Sequence, residues 1–185
     1  MSDIRNNLES IKARFSDEVF LSNRGLSNEV GIHVFCYNPH DEMIVRDYMA
    51  NLMQQKELPF HLIECDLYKI FLQICENKRI LKTIPVMEKK KGSESLLKQL
   101  QKIASPEAFV ERMQYEPHQH GDILLITGVG KVYPFMRVHN ILDNIQHIFS
   151  DIPVLVLYPG TFNGQELSLF EEVQDGNYYR AFNLL

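Results

Sequence analysis

The chain has 185 residues, of which 45% are hydrophobic, and a formal net charge of −5. This composition is typical of a folded globular domain, and the negative charge disfavours direct binding to DNA by the molecule as a whole. The three cysteines lack CxxC spacing, which suits a reducing compartment, and no apolar run is as long as a membrane span. We therefore expect a single cytoplasmic domain over residues 1–185, with no membrane contact.

The amino-terminal segment is predicted to be an amphipathic helix within residues 1–16. Its apolar residues are spaced by four, three and four positions, which places them on one helical face: Ile4, Leu8, Ile11 and Phe15. Such a helix either packs on its own domain or docks on a partner.

Four apolar runs are predicted to be strands, at residues 31–38, 60–67, 122–127 and 152–158. The runs are continuous rather than alternating, which indicates strands covered on both faces. Helical patterns separate them, so we predict an α/β fold with a mainly parallel sheet of about four to five strands and helices on both faces. Residues 167–170 and 177–185 are expected to form edge strands or a terminal hairpin.

The helix after the first strand is predicted to start at Asn38 and Pro39, which fit the N-cap and first helical position. It presents Ile44, Tyr48 and Leu52, flanked by two methionines, Met49 and Met53. A helix over residues 134–149 is predicted to follow the third strand, with one apolar face: Val138, Ile141, Leu142, Ile145 and Phe149.

Residues 78–120 are predicted to be a helical, lysine-rich insertion. Residues 78–102 carry eight Lys and Arg against two acids, a net charge of +6 that leaves −11 for the remainder. We expect residues 82–95 to be a break or loop, a new helix to start at Ser93, and another to start at Ser105 and Pro106. The candidate contact residues here are Lys89, Lys90 and Lys91, either as a solvated surface or as a docking patch for an acidic partner or for DNA held by a complex.

The sequence Gly128-Val129-Gly130-Lys131 after the third strand suggests a phosphate-binding loop, but its spacing is wrong. A Walker A loop needs a glycine five residues before the Gly-Lys pair and a hydroxyl residue after it. The chain has Leu125 and Val132 there, and Pro134 lacks an amide that could face an anion. Tyr133 occupies the position where a dinucleotide-binding motif needs its third glycine. We therefore predict no phosphate loop and no nucleotide cofactor.

Polar residues are expected to meet at the carboxyl ends of the strands, where open α/β sheets bind ligands. One arrangement is an acid–base group of His40, Asp66 and His139; the alternative is that these side chains cap loops and pair with each other. Arg137 and His139 are two positions apart, so on a helix they point about 200° apart and cannot share a site.

Other classes of catalytic site have weak signals. In an extended segment His118 and His120 would share a face, but no further ligands stand at a recognisable metal-site spacing, so we predict no metal site. No serine lies in a G-x-S-x-G sequence. The cysteines lie within apolar patterns, which favours core packing over nucleophilic chemistry.

Three blocks near the carboxyl terminus resemble one protein family: "TGVGKVYPFMRVHNILDNIQ", "PVLVLYPGTFNGQELSLF" and "NYYRAFNLL". The residues that carry the resemblance are Gly128, Tyr133, Pro134, Phe135, Arg137 and His139, then Tyr158, Pro159 and Gly160, and finally Tyr178, Tyr179, Arg180, Ala181 and Phe182. This combination resembles the BrxB family, which is encoded in bacterial BREX (bacteriophage exclusion) phage-resistance systems. The resemblance is densest from Gly121 to Leu185.

The resemblance implies membership of a multi-protein defence complex. The implied partners are a PglZ-like protein of the alkaline-phosphatase type, a large AAA-type ATPase and an adenine methyltransferase; no catalytic activity is implied. We expect a non-enzymatic adaptor with a degenerate nucleotide-binding-like outline. The alternative is a nucleotide- or nucleic-acid-sensing domain with vestigial activity. Besides the three lysines, the partner-binding candidates are Tyr133, Arg137, His139, Tyr178, Arg180 and Phe182, since aromatic residues and arginine are favoured at protein interfaces.

Overall fold

The computed structural model describes residues 4–23, 31–177 and 182–184. The helices in this part of the chain are α1 (Ile4–Phe15), α2 (Glu18–Leu21), α3 (Glu42–Met53), α4 (Leu67–Asn77), α5 (Ile84–Lys91), α6 (Ser93–Ile103), α7 (Pro106–Met113), α8 (Val129–Val132) and α9 (Val138–Ile145). The strands are β1 (Ile32–Tyr37), β2 (His61–Asp66), β3 (Asp122–Thr127), β4 (Val154–Phe162), β5 (Glu166–Leu169), β6 (Val173–Asn177) and β7 (Phe182–Asn183). Short 3-10 turns precede α3 and α5.

Five of these strands run parallel, in the order β2-β3-β4-β1-β7. The end of β4, from Gly160 to Phe162, instead pairs antiparallel with β5, and β5 pairs antiparallel with β6. The predicted α/β fold is therefore confirmed, but the sheet is mixed and has more strands than expected. The segment at 167–170 is part of the β5–β6 hairpin, and β4 runs four residues beyond the predicted strand.

The sheet separates two apolar cores, because successive residues of a strand point to opposite faces. Leu124 and Ile126 of β3 face the core formed with α4, α6, α7, α8 and α9. Ile123 and Leu125 face the core formed with α1, α2 and α3. Connections between parallel strands are right-handed, so the direction in which the chain moves across the sheet decides which face the connecting helices cover. The chain moves one way from β1 to β2 and the opposite way from β2 through β3 to β4, so α3 and the helices after β2 lie on opposite faces. Helices on both faces are confirmed.

The amino-terminal helix packs on its own domain, as one interpretation of the sequence predicted. Leu8, Ile11 and Phe15 of α1 are buried on the α3 side of the sheet. Two predicted caps are also confirmed: Asn38 accepts a hydrogen bond from the amide of His40, and Ser105 accepts one from the amide of Ala108.

The expected break at residues 82–95 is wrong, because eight of these residues form α5. Pro85 lies in the first turn of this helix, where no amide is needed for an internal hydrogen bond. Lysine has a high helix propensity, and the three lysines lie in the last turn, where positive charge interacts favourably with the helix dipole.

The predicted helix over 134–149 is shorter than expected and preceded by irregular backbone. Tyr133 is extended, as residues before proline tend to be, and Arg137 is extended as the N-cap of α9. The helix covers only Val138–Ile145, but the predicted apolar face is correct, and all five of its residues are buried.

The predicted face of α3 is partly wrong. The buried residues are Val45, Met49 and Leu52, so the inward face is rotated from the predicted one. Ile44 and Met53 are exposed instead, at 39% and 37% of their surface. Within the described residues, no helix is both long enough and apolar enough to cross a membrane.

Candidate functional site

A cleft of about 190 Å³ lies at the carboxyl ends of β1, β2, β3 and β4, as predicted from the parallel topology. α3 forms one wall and α8 contributes Lys131 to another. The cleft has charges of both signs, with a partly apolar wall from Met49, Ala50 and Met53 of α3.

The carboxylates on the floor of this cleft already have partners within the chain. Asp66 caps α4, because its Oδ1 accepts hydrogen bonds from the amides of Tyr68 and Lys69 at 3.0 and 3.1 Å. Glu64 Oε1 accepts a hydrogen bond of 2.9 Å from the hydroxyl of Thr127. The ammonium group of Lys69 lies 3.8 Å from both carboxylates. The floor is therefore a paired network that joins β2, β3 and α4.

Tyr37 closes the cleft at the end of β1. Its hydroxyl donates a 2.6 Å hydrogen bond to Glu42 Oε2 at the start of α3. Burial raises the pKa of Tyr37 far above its ordinary value, and the hydrogen bond to Glu42 acts in the same direction. The phenol is therefore neutral at physiological pH and fixes the first turn of α3.

The cleft does not contain the predicted group of His40, Asp66 and His139. Asp66 lines it, but neither histidine does. His40 is exposed in the 3-10 turn after β1, and His139 is half-buried on α9. The alternative interpretation is correct for Asp66, whose carboxylate caps a helix.

The two glycines of the Gly-Val-Gly-Lys sequence serve the packing of this chain. Gly128 has φ +73°, and a Cβ there would lie 2.5 Å from Asp66 Oδ1. A Cβ at Gly130 would lie 2.9 Å from the ring of Phe170, which follows β5. A carboxylate and an aromatic ring thus occupy the space beside these two glycines. The absence of a phosphate loop stays a prediction.

The predicted partner-binding residues near α8 and α9 make contacts within the chain. The guanidinium group of Arg137 donates a 3.0 Å hydrogen bond to the carbonyl of Gln174, which ties the start of α9 to β6. Tyr133 is half-buried and packs against the core beneath α9. The role of Arg137, Tyr133 and His139 in partner binding stays a prediction.

The remaining candidates differ in how far the structure describes them. Tyr178 and Arg180 lie outside the described residues, and for Phe182 the structure gives only the backbone, which pairs with His33 at the edge of the sheet. Lys89, Lys90 and Lys91 are all exposed at the end of α5.

The histidines of the segment before β3 pair with carboxylates from different parts of the chain. His118 Nδ1 lies 2.7 Å from Asp151, and its ring stacks on Phe149. His120 lies 3.3 Å from Glu18 of α2. Among the described residues, no group of three or more His, Cys, Asp or Glu side chains has a geometry that could hold a metal ion.

Cys65 and Cys75 are buried in the core, as predicted, and Cys36 is half-buried against it. Burial raises the pKa of Cys36 to about 12 and that of Cys65 to about 11, and it also raises the pKa of Cys75. Because the thiolate is the nucleophilic form, these thiols are poorly suited to covalent catalysis at physiological pH.

The sequence interpretation missed an exposed apolar row on α3. Met43, Ala50 and Met53 are separated by seven and three positions, so they lie along one solvent-facing side of the helix. Met43 is 60% exposed. The second apolar repeat in "EMIVRDYMANLM" was a signal for this row, but the sequence alone does not show which of two overlapping faces is buried.

Comparisons with known proteins agree with the resemblance noted in the sequence. The family model described as "BREX protein BrxB" matches residues 63–184. A BREX protein BrxB of Bacillus cereus (strain H3081.97) is 38% identical over 190 residues, covering 100% of this chain and 99% of the relative. A BREX protein BrxB of Escherichia coli O9:H4 (strain HS) is 30% identical over 184 residues, covering 96% and 90%. No solved structure matches significantly. The chain belongs to the BrxB family of BREX proteins.

Proposed function

We propose that this chain is a non-catalytic adaptor of a BREX phage-defence complex, which joins larger subunits by protein–protein contact. The observation that supports this proposal best is the exposed row of Met43, Ala50 and Met53 on α3. Methionine side chains are flexible and polarizable, and they are favoured at binding surfaces that adapt to a partner.

The apolar row of α3 lies at the edge of the cleft. Ala50 and Met53 also line the cleft at the strand ends, where α/β domains commonly bind ligands. Here the polar floor is paired within the chain, while Arg46 and Asp47 add charge beside the apolar row. This surface fits a protein segment that packs an apolar residue on the row and places polar residues beside Arg46 and Asp47. On this proposal, the strand ends of the α/β fold bind a protein segment.

The expected partners are the other BREX proteins implied by the family resemblance: a PglZ-like protein, a large AAA-type ATPase and an adenine methyltransferase. A pairwise pull-down of each against this chain tests the proposal. Replacing both Met43 and Met53 by Glu should reduce capture of one partner about thirtyfold or more, as expected for the loss of about 2 kcal/mol at the centre of an interface.

A matched control replaces Val19 and Val86 by Glu. These residues are 66% and 54% exposed and lie on α2 and α5, so the control makes the same change in charge and exposed apolar surface elsewhere. We expect the control to retain capture. The proposal is wrong if the wild-type chain captures none of the subunits, or if both double variants bind equally well. A rise in melting temperature with ATP, GTP and Mg²⁺ would instead support a nucleotide-sensing domain.

A further inference from the structure

The lysine-rich segment forms an exposed pair of helices, which we call the basic arm and define as residues 78–103. It contains α5 and α6, which pack against each other and are joined by Gly92. α6 attaches to the core through Leu96 and Leu100, whereas α5 has no buried residue. The arm therefore exposes one helix that contributes little to the core of the chain.

The positive charge of the arm is largely unpaired within the chain. Its two acids have internal partners: Glu88 accepts a 2.8 Å hydrogen bond from the hydroxyl of Ser93, and Glu94 pairs with Lys98 at 2.8 Å. Seven of the arm's eight cations make no ion pair with any described residue: Lys78, Arg79, Lys82, Lys89, Lys90, Lys91 and Lys102. A ligand with many negative charges would meet little competition from the chain's own carboxylates.

The composition of the arm indicates which polyanion fits. Residues 78–103 contain no aromatic residue and only one arginine. Protein interfaces are enriched in aromatic residues and arginine and depleted in lysine, so this surface is unlike a protein-binding one. Single-stranded nucleic acids bind through bases stacked on aromatic rings, which the arm lacks. Contacts to the phosphates of a duplex need only positive charge and hydrogen-bond donors.

We propose that the basic arm binds the phosphate backbone of duplex DNA without reading its sequence. An open groove of about 730 Å³ beside the arm is lined by Lys91, Lys98 and Lys102 with the hydroxyl of Ser95; Glu94 also lines it and pairs with Lys98. The first turn of α6 borders this groove, and no side chain caps it. Lysine ammonium groups, hydroxyls and amides of this kind are common phosphate ligands.

The rest of the chain fixes the orientation of binding. It carries a charge of about −11, which repels the phosphates. The arm therefore faces the duplex and the rest of the chain faces away from it. The net negative charge disfavours DNA binding by the molecule as a whole but not at this surface. Binding by the isolated chain is weak and steeply dependent on salt, and it strengthens when other subunits hold the chain near DNA.

Fluorescence anisotropy with a labelled mixed-sequence duplex tests the proposal on the full chain over a range of NaCl concentrations. Replacing Lys89, Lys90 and Lys91 by Glu should weaken binding at low salt tenfold or more. Each lost phosphate contact reduces the slope of log affinity against log salt by about 0.9, so the slope should become shallower by about 2 to 3.

A matched control replaces Arg5, Arg14 and Lys56 by Glu. These exposed cations lie on or beside α1 and α3, on the other side of the sheet, and the control has the same net charge as the arm variant. We expect it to keep the wild-type slope and an affinity within about twofold. The proposal is overturned if the wild-type chain does not bind duplex DNA at 20 mM salt, or if the two triple variants lose affinity equally. Tighter binding to single-stranded DNA, to double-stranded RNA or to polyglutamate than to duplex DNA also overturns it.

Discussion

Two segments of the chain differ in structure from what their sequences suggest: the junction after β3, residues 128–131, and the basic arm. Gly128, Gly130 and Lys131 resemble a nucleotide loop, yet both glycines make room for other parts of the chain, namely Asp66 and Phe170. The lysine run resembles a loop, yet it forms a helix that has no fully buried residue. Residues that contact their own fold explain stability, and residues that contact nothing within it are the better candidates for function. The following experiments test that distinction.

The largest stability effect is expected where the end of β4 lies against the β5–β6 hairpin beside the junction. A Cβ at Gly160 would lie 2.1 Å from the carbonyl oxygen of Ser168. Gly160→Ala should therefore reduce the free energy of unfolding by about 3 kcal/mol, measured by urea denaturation. Gly164→Ala is the control, because nothing lies within 4 Å of a Cβ there and only its φ of +92° is unfavourable; it should cost about 1 kcal/mol. Equal losses would show that the close packing does not matter.

Outside the basic arm the chain contains a buried histidine, His33, which makes the stability of the fold depend on pH. Burial on β1 lowers the pKa of His33 to about 4, with a smaller contribution from Arg14. The unfolded chain binds a proton below about pH 6.5 and the folded chain does not, so stability is lost as the pH falls from about 6.5 towards 4. At pH 5 this residue alone should lower the free energy of unfolding by about 2 kcal/mol relative to pH 7.5.

His33→Gln should flatten this part of the pH profile. The variant's value at pH 7.5 serves as its own reference, so any packing that the substitution removes does not enter the slope. A slope between pH 6.5 and 5 that matches the wild type would show that other groups cause the acid sensitivity.

A smaller effect tests the contact between Gly130 and Phe170 directly. Gly130→Ala should lower the free energy of unfolding by about 1 kcal/mol, because the new methyl group pushes on the ring of Phe170. In a Phe170→Ala background the same change should be neutral or stabilising, since alanine is favoured over glycine in a helix. A double-mutant cycle by urea denaturation measures the coupling. Additive effects would contradict the proposed use of this glycine.

The smallest effect is expected in the arm. Replacing Lys89, Lys90 and Lys91 by Glu should change the free energy of unfolding by less than about 0.5 kcal/mol, because these side chains are exposed and α5 has no fully buried residue. Circular dichroism melting measures this change. A loss of several kcal/mol would mean that the lysines stabilise the fold. The arm, like the junction, would then serve stability and not binding.

The sequence predicted those parts of the fold in which local patterns and long-range packing agree. The buried runs of β1, β3 and β4 and the caps at Asn38 and Ser105 are of this kind. α5 was missed because Pro85 and the lysine run are also common in loops. The exposed face of α3 was missed because Ile44 and Val45 are neighbours, and both start a plausible apolar face.

The use of Gly130 could not be predicted, because it depends on Phe170, which is forty residues away and reaches α8 only through the β5–β6 hairpin. The cleft at the strand ends could be predicted from the parallel topology, but the hydrogen bonds and ion pairs of its carboxylates could not. The contacts of Glu64 with Thr127 and Lys69 depend on the register of β2 against β3.

Phage plating efficiency in cells with a complete BREX system tests most directly whether function lies at exposed surfaces or at the junction. The variants to compare are Lys131→Ala and the double replacement of Met43 and Met53 by Glu, each shown to be folded by circular dichroism. We predict that Lys131→Ala restricts phage nearly as well as the wild type and that the methionine variant restricts no better than a deletion of the gene. Loss of restriction in Lys131→Ala, with full restriction in the methionine variant, would contradict the account and return the function to the junction.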